Sequence, residues 1–455
     1  MQNPERLKRW ERCGLWGFGV VVVLFGALTV QRSAFLTQRM GDAGVFFRAG
    51  WAAREGGEQL YTITCDNGWH YLYPPLFGYL LVPLADAPPG ADARYCLPFA
   101  VSVLLWYLLN LFCLFAGLHL LASAVERAAP RPPVVGSRRW WSLRFVPLMV
   151  CLPCVGSTLV RGQVSPILLA LVCAAFAAAI RGRRFAFGVW LAAAVCVKIF
   201  PAFLALVPLR QRDARGLAGM TVGLVLGIVV LPLLIFGAHR TGECYRQLAG
   251  AVLGPALGWN DDHSRGAELL DMTACYSQSM VTAINALIHP DRATRPPQAD
   301  PLARRLHWGL GVLMTLATLW AFRRSPSPHD PATEARRTAL FGGALVIVMV
   351  LVCPVAHLHY FMLAIPAVLA LVAVGRGEGV YPGPGLFALL GVHVLTVVLA
   401  QLPGLDFLKD KCLPTYGLLL LWATTCAAGR RRKVAQVVRD AICSHPAEVG
   451  LRQVA

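Results

Sequence analysis

The feature that most constrains this chain is a series of long apolar runs that carry almost no charge. Of its 455 residues, 56% are hydrophobic and only 15% are charged, whereas a soluble protein carries about a quarter charged residues. A helix needs ~20 apolar residues to cross the hydrocarbon core of a bilayer, and helices satisfy their backbone groups within the segment. The sequence therefore predicts an all-α polytopic integral membrane protein with a single membrane domain.

Twelve of these runs are candidate transmembrane helices. The runs 185–197 and 199–209 are each too short to cross at full thickness, so we expect a helical hairpin that turns at Lys198 near the far side. A thirteenth run, 73–84, is short and begins beside two prolines. The twelve candidate spans are 13–30, 97–125, 145–160, 164–180, 185–197, 199–209, 217–238, 306–322, 339–355, 358–374, 385–402 and 413–428.

The distribution of Lys and Arg indicates which runs cross the membrane, because cytoplasmic loops are enriched in these residues. If 73–84 does not cross, one side carries 26 Lys and Arg against 9 Asp and Glu, and the other carries 16 against 15. If it crossed, every later loop would change sides and this asymmetry would be lost. We therefore expect 73–84 to be a re-entrant or interfacial helix. Nearly all of the net charge of +18 then lies on the cytoplasmic side of the membrane. This distribution explains the basic charge by topology and argues against a nucleic-acid partner.

This topology divides the chain into a cytoplasmic N-terminus (1–12), a membrane domain (13–429) and a basic cytoplasmic tail (430–455). The long loops 31–96 and 239–305 both lie on the non-cytoplasmic side, whereas the cytoplasmic loops are short and basic. We therefore expect the chemistry on the non-cytoplasmic face, in the first outer loop (31–96) and the second (239–305). The second loop also predicts a short surface helix over 281–288.

Cysteines in the loops of that face could form a disulfide, and the sequence leaves their pairing open. The second outer loop also carries a polar cluster. The cysteines are Cys65, Cys244, Cys275 and Cys412, and the cluster is Trp259, Asn260, Asp261, Asp262 and His263.

Two charged residues stand out against the apolar background. Asp42 follows the first span by about a dozen residues. It is a candidate general base for a hydroxyl group, and the alternative is a solvated loop acid or the N-cap of a helix that begins at Ala43. Lys198 is a cation at membrane depth, which is costly and usually functional. A lipid phosphate would be a suitable partner for it, and the alternative is a lysine that snorkels to the interface.

Two short turns on the far side also carry polar residues. In the first, Gln163 could bind a sugar hydroxyl and Arg161 a phosphate, although a plain polar turn is the alternative. In the second, His357 and His359 are two residues apart and would not share a helix face. We therefore expect one of them to contact phosphate or hydroxyl, and no shared metal ion.

Taken in order, seven short motifs resemble those of glycosyltransferase family 87, membrane enzymes of the GT-C type that use polyprenyl-phosphate-mannose. Phe46-Phe47 stands where that family usually has two tyrosines, and Ser277 where it has asparagine. A tryptophan expected near His357 is absent. The motifs are Gly41-Asp42 with Phe46-Phe47-Arg48-Ala49, Gly57 with Leu60-Tyr61, Tyr73-Pro74-Pro75 with Pro83-Leu84, Gly162-Gln163 with Ser165, Lys198 with Pro201, Ser277-Gln278-Ser279, and Pro354 with His359-Tyr360.

The resemblance implies inverting transfer of a sugar, mannose in this family, from a polyprenyl-phosphate donor to a lipid or glycan acceptor. It implies no cofactor, no metal ion and a multi-pass protein of the bacterial plasma membrane. Asp42 would act as general base, and His359 would assist the leaving phosphate. Donor and acceptor would be bound by Arg48, Tyr73, Arg161, Gln163, Lys198, Gln278 and His357.

Two other classes of protein share some of these features. A lipid or solute transporter or flippase would also have many spans and an intramembrane cation. It would, however, place polar residues along a path through the bilayer, whereas here they cluster on one side. An inactive scaffold would not need Asp42, Lys198 and His359 together. Radiolabelled polyprenyl-phosphate-mannose, incubated with membranes, would separate the three.

Overall fold

The chain folds as an assembly of helices, as the sequence predicts. In the part of the chain that the structure describes, the only β pairings are the isolated bridges Thr64–His70 and Ser277–His357. The computed structural model describes residues 7–35, 41–257, 265–269, 271–274, 276–323, 330–376 and 384–443.

The first half of the chain contains twelve α-helices among its described residues. A 3₁₀ turn, Val82–Leu84, follows α3, and the 3₁₀ segment Phe200–Ala205 precedes α9. Two π-helical stretches, Val225–Val230 and Ala249–Leu253, flank α11. The helices are α1 (Arg9–Phe35), α2 (Asp42–Arg54), α3 (Pro75–Leu80), α4 (Phe99–Arg127), α5 (Arg138–Val150), α6 (Leu152–Arg161), α7 (Ser165–Ile180), α8 (Arg184–Val197), α9 (Leu206–Gln211), α10 (Ala214–Leu224), α11 (Leu231–Leu248) and α12 (Gly254–Leu257).

The second half adds eight α-helices and a 3₁₀ segment, Leu358–Ala364, that leads into α17. The helix expected over 281–288 is present as α14, but six of its nine residues are buried, so it is not the exposed surface helix that was predicted. These helices are α13 (Gly266–Leu269), α14 (Met280–Ile288), α15 (Pro301–Ala321), α16 (Pro331–Val352), α17 (Ile365–Arg376), α18 (Pro384–Leu399), α19 (Asp406–Asp410) and α20 (Leu413–Cys443).

The centre of the bundle is α16, which is buried along most of its length and packs against α7, α17 and α20. Small residues allow the close helix approaches. A Cβ at Gly343 would lie 2.5 Å from the Cα of Ala367, and one at Gly188 would lie 2.0 Å from the carbonyl oxygen of Gly216. Close packing through glycine is common between membrane helices, where apolar side chains gain nothing by leaving lipid.

Four described helical segments are long and apolar enough to span a bilayer, or five if a bent pair counts as one. The bent pair is α5 and α6. The prediction of a single helix over 145–160 was therefore wrong, because the helix axis turns by 66° at Cys151. Pro153, in the first turn of α6, lacks the backbone N–H of a continuing helix. The twelve crossings remain a prediction. The four segments are Phe99–Arg127, Ala214–Leu253, Pro331–Val352 and Leu358–Gly375.

The loops differ from the sequence boundaries in several places. Helix α1 continues into the predicted first outer loop, and α11 continues into the second after a kink at Gly237, which has a φ of 77°. In 73–84, α3 has six residues and is therefore ~9 Å long, too short to cross. The hairpin turns at Lys198, but its returning arm is a 3₁₀ segment followed by α9 and not one helix.

Two predictions about the outer loops cannot be followed in full, because some of their residues lie outside the described part of the chain. The cluster 259–263, Cys275 and residues 444–455 are outside them. In the described part, Cys65, Cys244 and Cys412 are not joined by disulfides.

Candidate active site

The carboxylate of Asp42 is buried at the start of α2. Gly41, with extended backbone (φ −95°, ψ 157°), is the N-cap, so Asp42 is the first helical residue and not the cap of a helix that begins at Ala43. Its side chain is only 7% exposed. A carboxylate in the first turn is stabilised by the helix dipole, which offsets part of the cost of burying it.

The turn after α6 meets α2 at this point. Gly162 has a left-handed φ of 68° and ends α6, and a Cβ there would lie 2.7 Å from the Cβ of Ala43. Glycine therefore allows both the backbone conformation and the contact. The next residue, Gln163, donates a hydrogen bond from Nε2 to Oδ2 of Asp42 at 2.6 Å, so the contact brings two predicted site residues together.

A chain of polar side chains connects this acid to a cation. The Tyr73 hydroxyl donates to Oε1 of Gln163 at 3.4 Å. The Lys198 ammonium donates to the hydroxyls of Tyr73, at 3.3 Å, and Tyr360. It also lies 4.0 Å from the ring centroid of Tyr360. The acid and the cation therefore face one space and are linked by tyrosine and glutamine side chains.

That space is a cavity of about 330 Å³, within the usual range of small-molecule sites. Its walls combine the polar residues above with apolar and aromatic side chains from both outer loops, from the turn at Lys198 and from the turn before Leu358. Those side chains include Phe46, Trp69, Leu72, Phe200, Val252, Leu253, Leu257 and Val355. An amphiphile with a polar head and an apolar tail matches such a lining.

Burial and nearby charges act on Asp42 in opposite directions. Burial raises the pKa of the Asp42 carboxyl, whereas the Gln163 hydrogen bond and the charges of Arg161 and Lys198 oppose that rise. At the other wall, burial lowers the pKa of His357 to about 4. His357 is therefore neutral near pH 7, with Nδ1 3.0 Å from the carbonyl oxygen of Tyr276.

Arg48, which the family resemblance assigns to substrate binding, is not among the residues that line the main cavity. Its Nη2 lies 3.0 Å from Asp66 and 3.2 Å from Asp86, and the residue is 3% exposed. Ion pairs with two acids of the same loop fix α2 against that loop. The cations whose charges act on Asp42 are instead Arg161 and Lys198.

The remaining predicted residues line a second, small cavity of about 30 Å³ that shares His357 with the first. Arg161, Gln278, His359 and Lys409 all border it. The Gln278 amide donates to the carbonyl oxygen of Lys409 at 3.0 Å. His359 is 1% exposed and packs edge-on against Tyr360 at 4.5 Å between ring centroids. Among the described residues, neither of its ring nitrogens has a hydrogen-bond partner.

Sequence reasoning missed an acid–imidazole pair that lines the main cavity. Glu268 accepts from the backbone N–H of His70 at 2.8 Å, and its other oxygen is 2.7 Å from Nδ1 of His70. The pair joins the two outer loops across 198 positions, so no local spacing could have indicated it. Burial raises the pKa of Glu268. Neighbouring Trp69 also lines the cavity.

A metal site requires several ligands close together. Within the described ranges, no group of three or more His, Cys, Asp or Glu side chains could hold a metal ion. Among the described residues that line the main cavity, Lys198 is the Lys or Arg side chain that could contact an anion.

No curated protein matches the chain. Two crystal structures of ArnT from Cupriavidus metallidurans are similar to it at 16% identity. The match to the apo structure has a TM-score of 0.39 and covers 91% of this chain and 77% of the ArnT chain. The match to the structure bound to undecaprenyl phosphate has a TM-score of 0.37 and covers 92% of this chain and 78% of the ArnT chain.

The family comparison covers most of the membrane domain. The model for glycosyltransferase family 87 matches residues 71–354, which is more than half of the chain and includes Tyr73, Gln163, Lys198 and Gln278. The chain therefore belongs to glycosyltransferase family 87 and is a membrane glycosyltransferase of the GT-C type.

Proposed function

We propose that the protein transfers a sugar from a polyprenyl-phosphate donor to a hydroxyl group of a lipid or glycan acceptor. The transferred sugar is mannose, as the family resemblance implies. The reaction takes place in the 330 Å³ cavity, on the non-cytoplasmic face of the plasma membrane. The observation that carries the proposal is that a buried acid, Asp42, and a half-buried cation, Lys198, line the same cavity.

In the proposed reaction Asp42 is the general base. Gln163 occupies Oδ2, and we assign Oδ1 to the acceptor hydroxyl. As the proton moves to Asp42, the hydroxyl oxygen attacks the anomeric carbon from the face opposite the phosphate. The bond between that carbon and the phosphate oxygen breaks, and polyprenyl phosphate leaves with the electron pair. One displacement of this kind inverts the anomeric configuration.

The leaving phosphate needs charge stabilisation as its bond breaks. The Lys198 ammonium and the hydroxyls of Tyr73 and Tyr360 are already held together, so they require little reorganisation, which is how such groups lower a barrier. We assign the phosphate to these three groups. The apolar wall of Val252, Leu253 and Leu257 would then accept the first isoprene units.

The test is direct transfer by purified protein in lipid. Radiolabelled polyprenyl-phosphate-mannose is incubated with the protein and an extract of its native membrane lipids, and labelled products are separated by chromatography. We expect label to move from the donor to a new lipid or glycan. If the donor binds but label never moves, the proposal is wrong. If the corresponding glucose or aminosugar donor supports transfer instead, only the assignment of mannose is wrong.

A further inference from the structure

A second large cavity opens at the opposite end of the helix bundle from the candidate active site. It has a volume of about 900 Å³. Helices α7, α8 and α16 each have one end at this cavity and the other at or beside the Asp42 cavity. Since they have 16, 14 and 22 residues, they separate the two cavities by ~21–33 Å. That distance is close to the thickness of a bilayer core.

The rim of this cavity, here called the arginine groove, is strongly basic. Glu334 is the one carboxylate among its described lining residues. Helices α8 and α16 both begin at the groove, which adds positive dipole ends. The floor is apolar and includes Ile180, Phe322 and Phe341. The arginines that line it are Arg184, Arg210, Arg212, Arg323 and Arg337.

Several of these arginines are held in place by neutral groups. Arg337 donates from Nη2 to the carbonyl oxygens of Phe322 and Arg323, both at 2.7 Å. Carbonyl oxygens fix a guanidinium without cancelling its charge. The Arg210 guanidinium lies 4.8 Å from the ring centroid of Phe341, on the apolar floor. Arg184 differs, because it pairs with Asp213 at 3.4 Å.

We propose that the arginine groove binds the headgroup of an anionic phospholipid from the adjacent leaflet. The phosphate lies among the guanidinium groups, and the first part of an acyl chain lies on Phe322 and Phe341. Basic pockets between membrane helices bind lipid headgroups in this way, and the volume is within the range of ligand sites. A soluble anion would use the arginines but gain nothing from the apolar floor.

This proposal does not depend on the transferase reaction. Its test compares two double variants, to distinguish a specific lipid site from general surface charge. The groove variant is Arg212→Gln with Arg323→Gln, and both residues are exposed on the rim. The matched control is Arg183→Gln with Arg215→Gln, which removes the same charge from exposed arginines beside the groove that do not line it. Phosphatidylglycerol is titrated into full-length protein in phosphatidylcholine nanodiscs, and thermal unfolding is measured.

We expect phosphatidylglycerol to raise the unfolding temperature of the unchanged protein and of the control variant alike. The groove variant should need roughly 25-fold more of this lipid for the same rise, since each of the two arginines removed contributes about a factor of five near a headgroup. Equal weakening in both variants would mean general surface charge, and no effect on the unchanged protein would mean no site. Either result would overturn the proposal, as would equal stabilisation by soluble glycerol phosphate.

Discussion

At the scale of single residues, the burial of Asp42 favours catalysis and opposes folding. Burial raises its pKa, so the ionised carboxylate is a stronger base than an exposed one. The same burial makes the ionised form less favourable in the folded protein. A carboxyl whose pKa is higher in the folded than in the unfolded state holds its proton more tightly when folded, so its contribution to stability grows as the pH falls. At pH values above that pKa, therefore, the charge of Asp42 is retained at a cost in stability.

The first prediction follows from these opposite effects of Asp42 burial on catalysis and on stability. Asp42→Asn keeps the shape of the side chain but cannot accept a proton, so sugar transfer should fall by roughly 100- to 10,000-fold. Because a buried charge is removed, the unfolding temperature near pH 7 should stay the same or rise. Asp92→Asn, an exposed acid of the same loop paired with Arg94, is the control and should keep its transfer rate. Normal transfer by Asp42→Asn would remove Asp42 from the mechanism.

The second prediction concerns pH. The transfer rate should decline as the pH falls through the pKa of Asp42, because the base becomes protonated, and the midpoint should lie above the value of an exposed aspartate. Gln163 stabilises the ionised form and lowers that pKa. Gln163→Leu should therefore move the midpoint to higher pH, as measured by pH–rate profiles at saturating donor. An unchanged midpoint together with a lower rate would mean that Gln163 acts only by positioning substrate.

The third prediction concerns metal ions and Lys198. If the Lys198 ammonium compensates the charge of the leaving phosphate, transfer should continue in EDTA. Lys198→Gln should lose roughly 100- to 1,000-fold, as the removal of a group that stabilises developing charge does elsewhere. Loss of transfer in EDTA that Mg²⁺ or Mn²⁺ restores would show that a metal ion supplies the charge instead.

At the scale of elements, the fourth prediction tests the contact between α2 and the turn after α6. Gly162→Ala introduces a Cβ 2.7 Å from Ala43 at a φ of 68°. It should lower both stability and transfer, because Gln163 moves away from Asp42. Gly136→Ala is the control: its φ is 78°, but a Cβ there meets nothing within 4 Å. It should lose about 1 kcal/mol of stability and keep its transfer rate. Equal losses in the two variants would mean that backbone strain alone is responsible.

The same helices and turns show which parts of the fold and of the candidate site could be predicted from the sequence. Apolar runs predicted the helical fold, and short motifs predicted that Asp42, Gln163 and Lys198 belong to one site. The bend at Cys151 was missed because hydropathy averages over a window and is insensitive to Pro153. The ion pairs of Arg48 and the contact between His70 and Glu268 depend on long-range packing, which no local pattern encodes.

At the scale of the whole molecule, one contact constrains how the chain crosses the membrane. Gln163 touches Asp42, so the start of α2 and the turn after α6 lie at the same depth. Helix α4, between them in sequence, is long and apolar enough to cross. The chain must then return before Gln163, and the bent pair α5 and α6 is the segment that can do so. This supports counting the pair as a crossing.

The last prediction tests that reasoning with two exposed positions. Asp92 and Arg183 are separated by α4, the bent pair and α7, three crossings in all, and an odd number places them on opposite sides. In a variant without native cysteines, Asp92→Cys should react with a membrane-impermeant maleimide on intact cells. Arg183→Cys should react only after permeabilisation, because its loop belongs to the basic, cytoplasmic side. If both react from one side, the bent pair is a re-entrant loop and the positions of Asp42 and Gln163 must be reassigned. If the two sides are reversed, the crossings stand but the cavity faces the cytoplasm, and a donor presented outside the cell could not reach it.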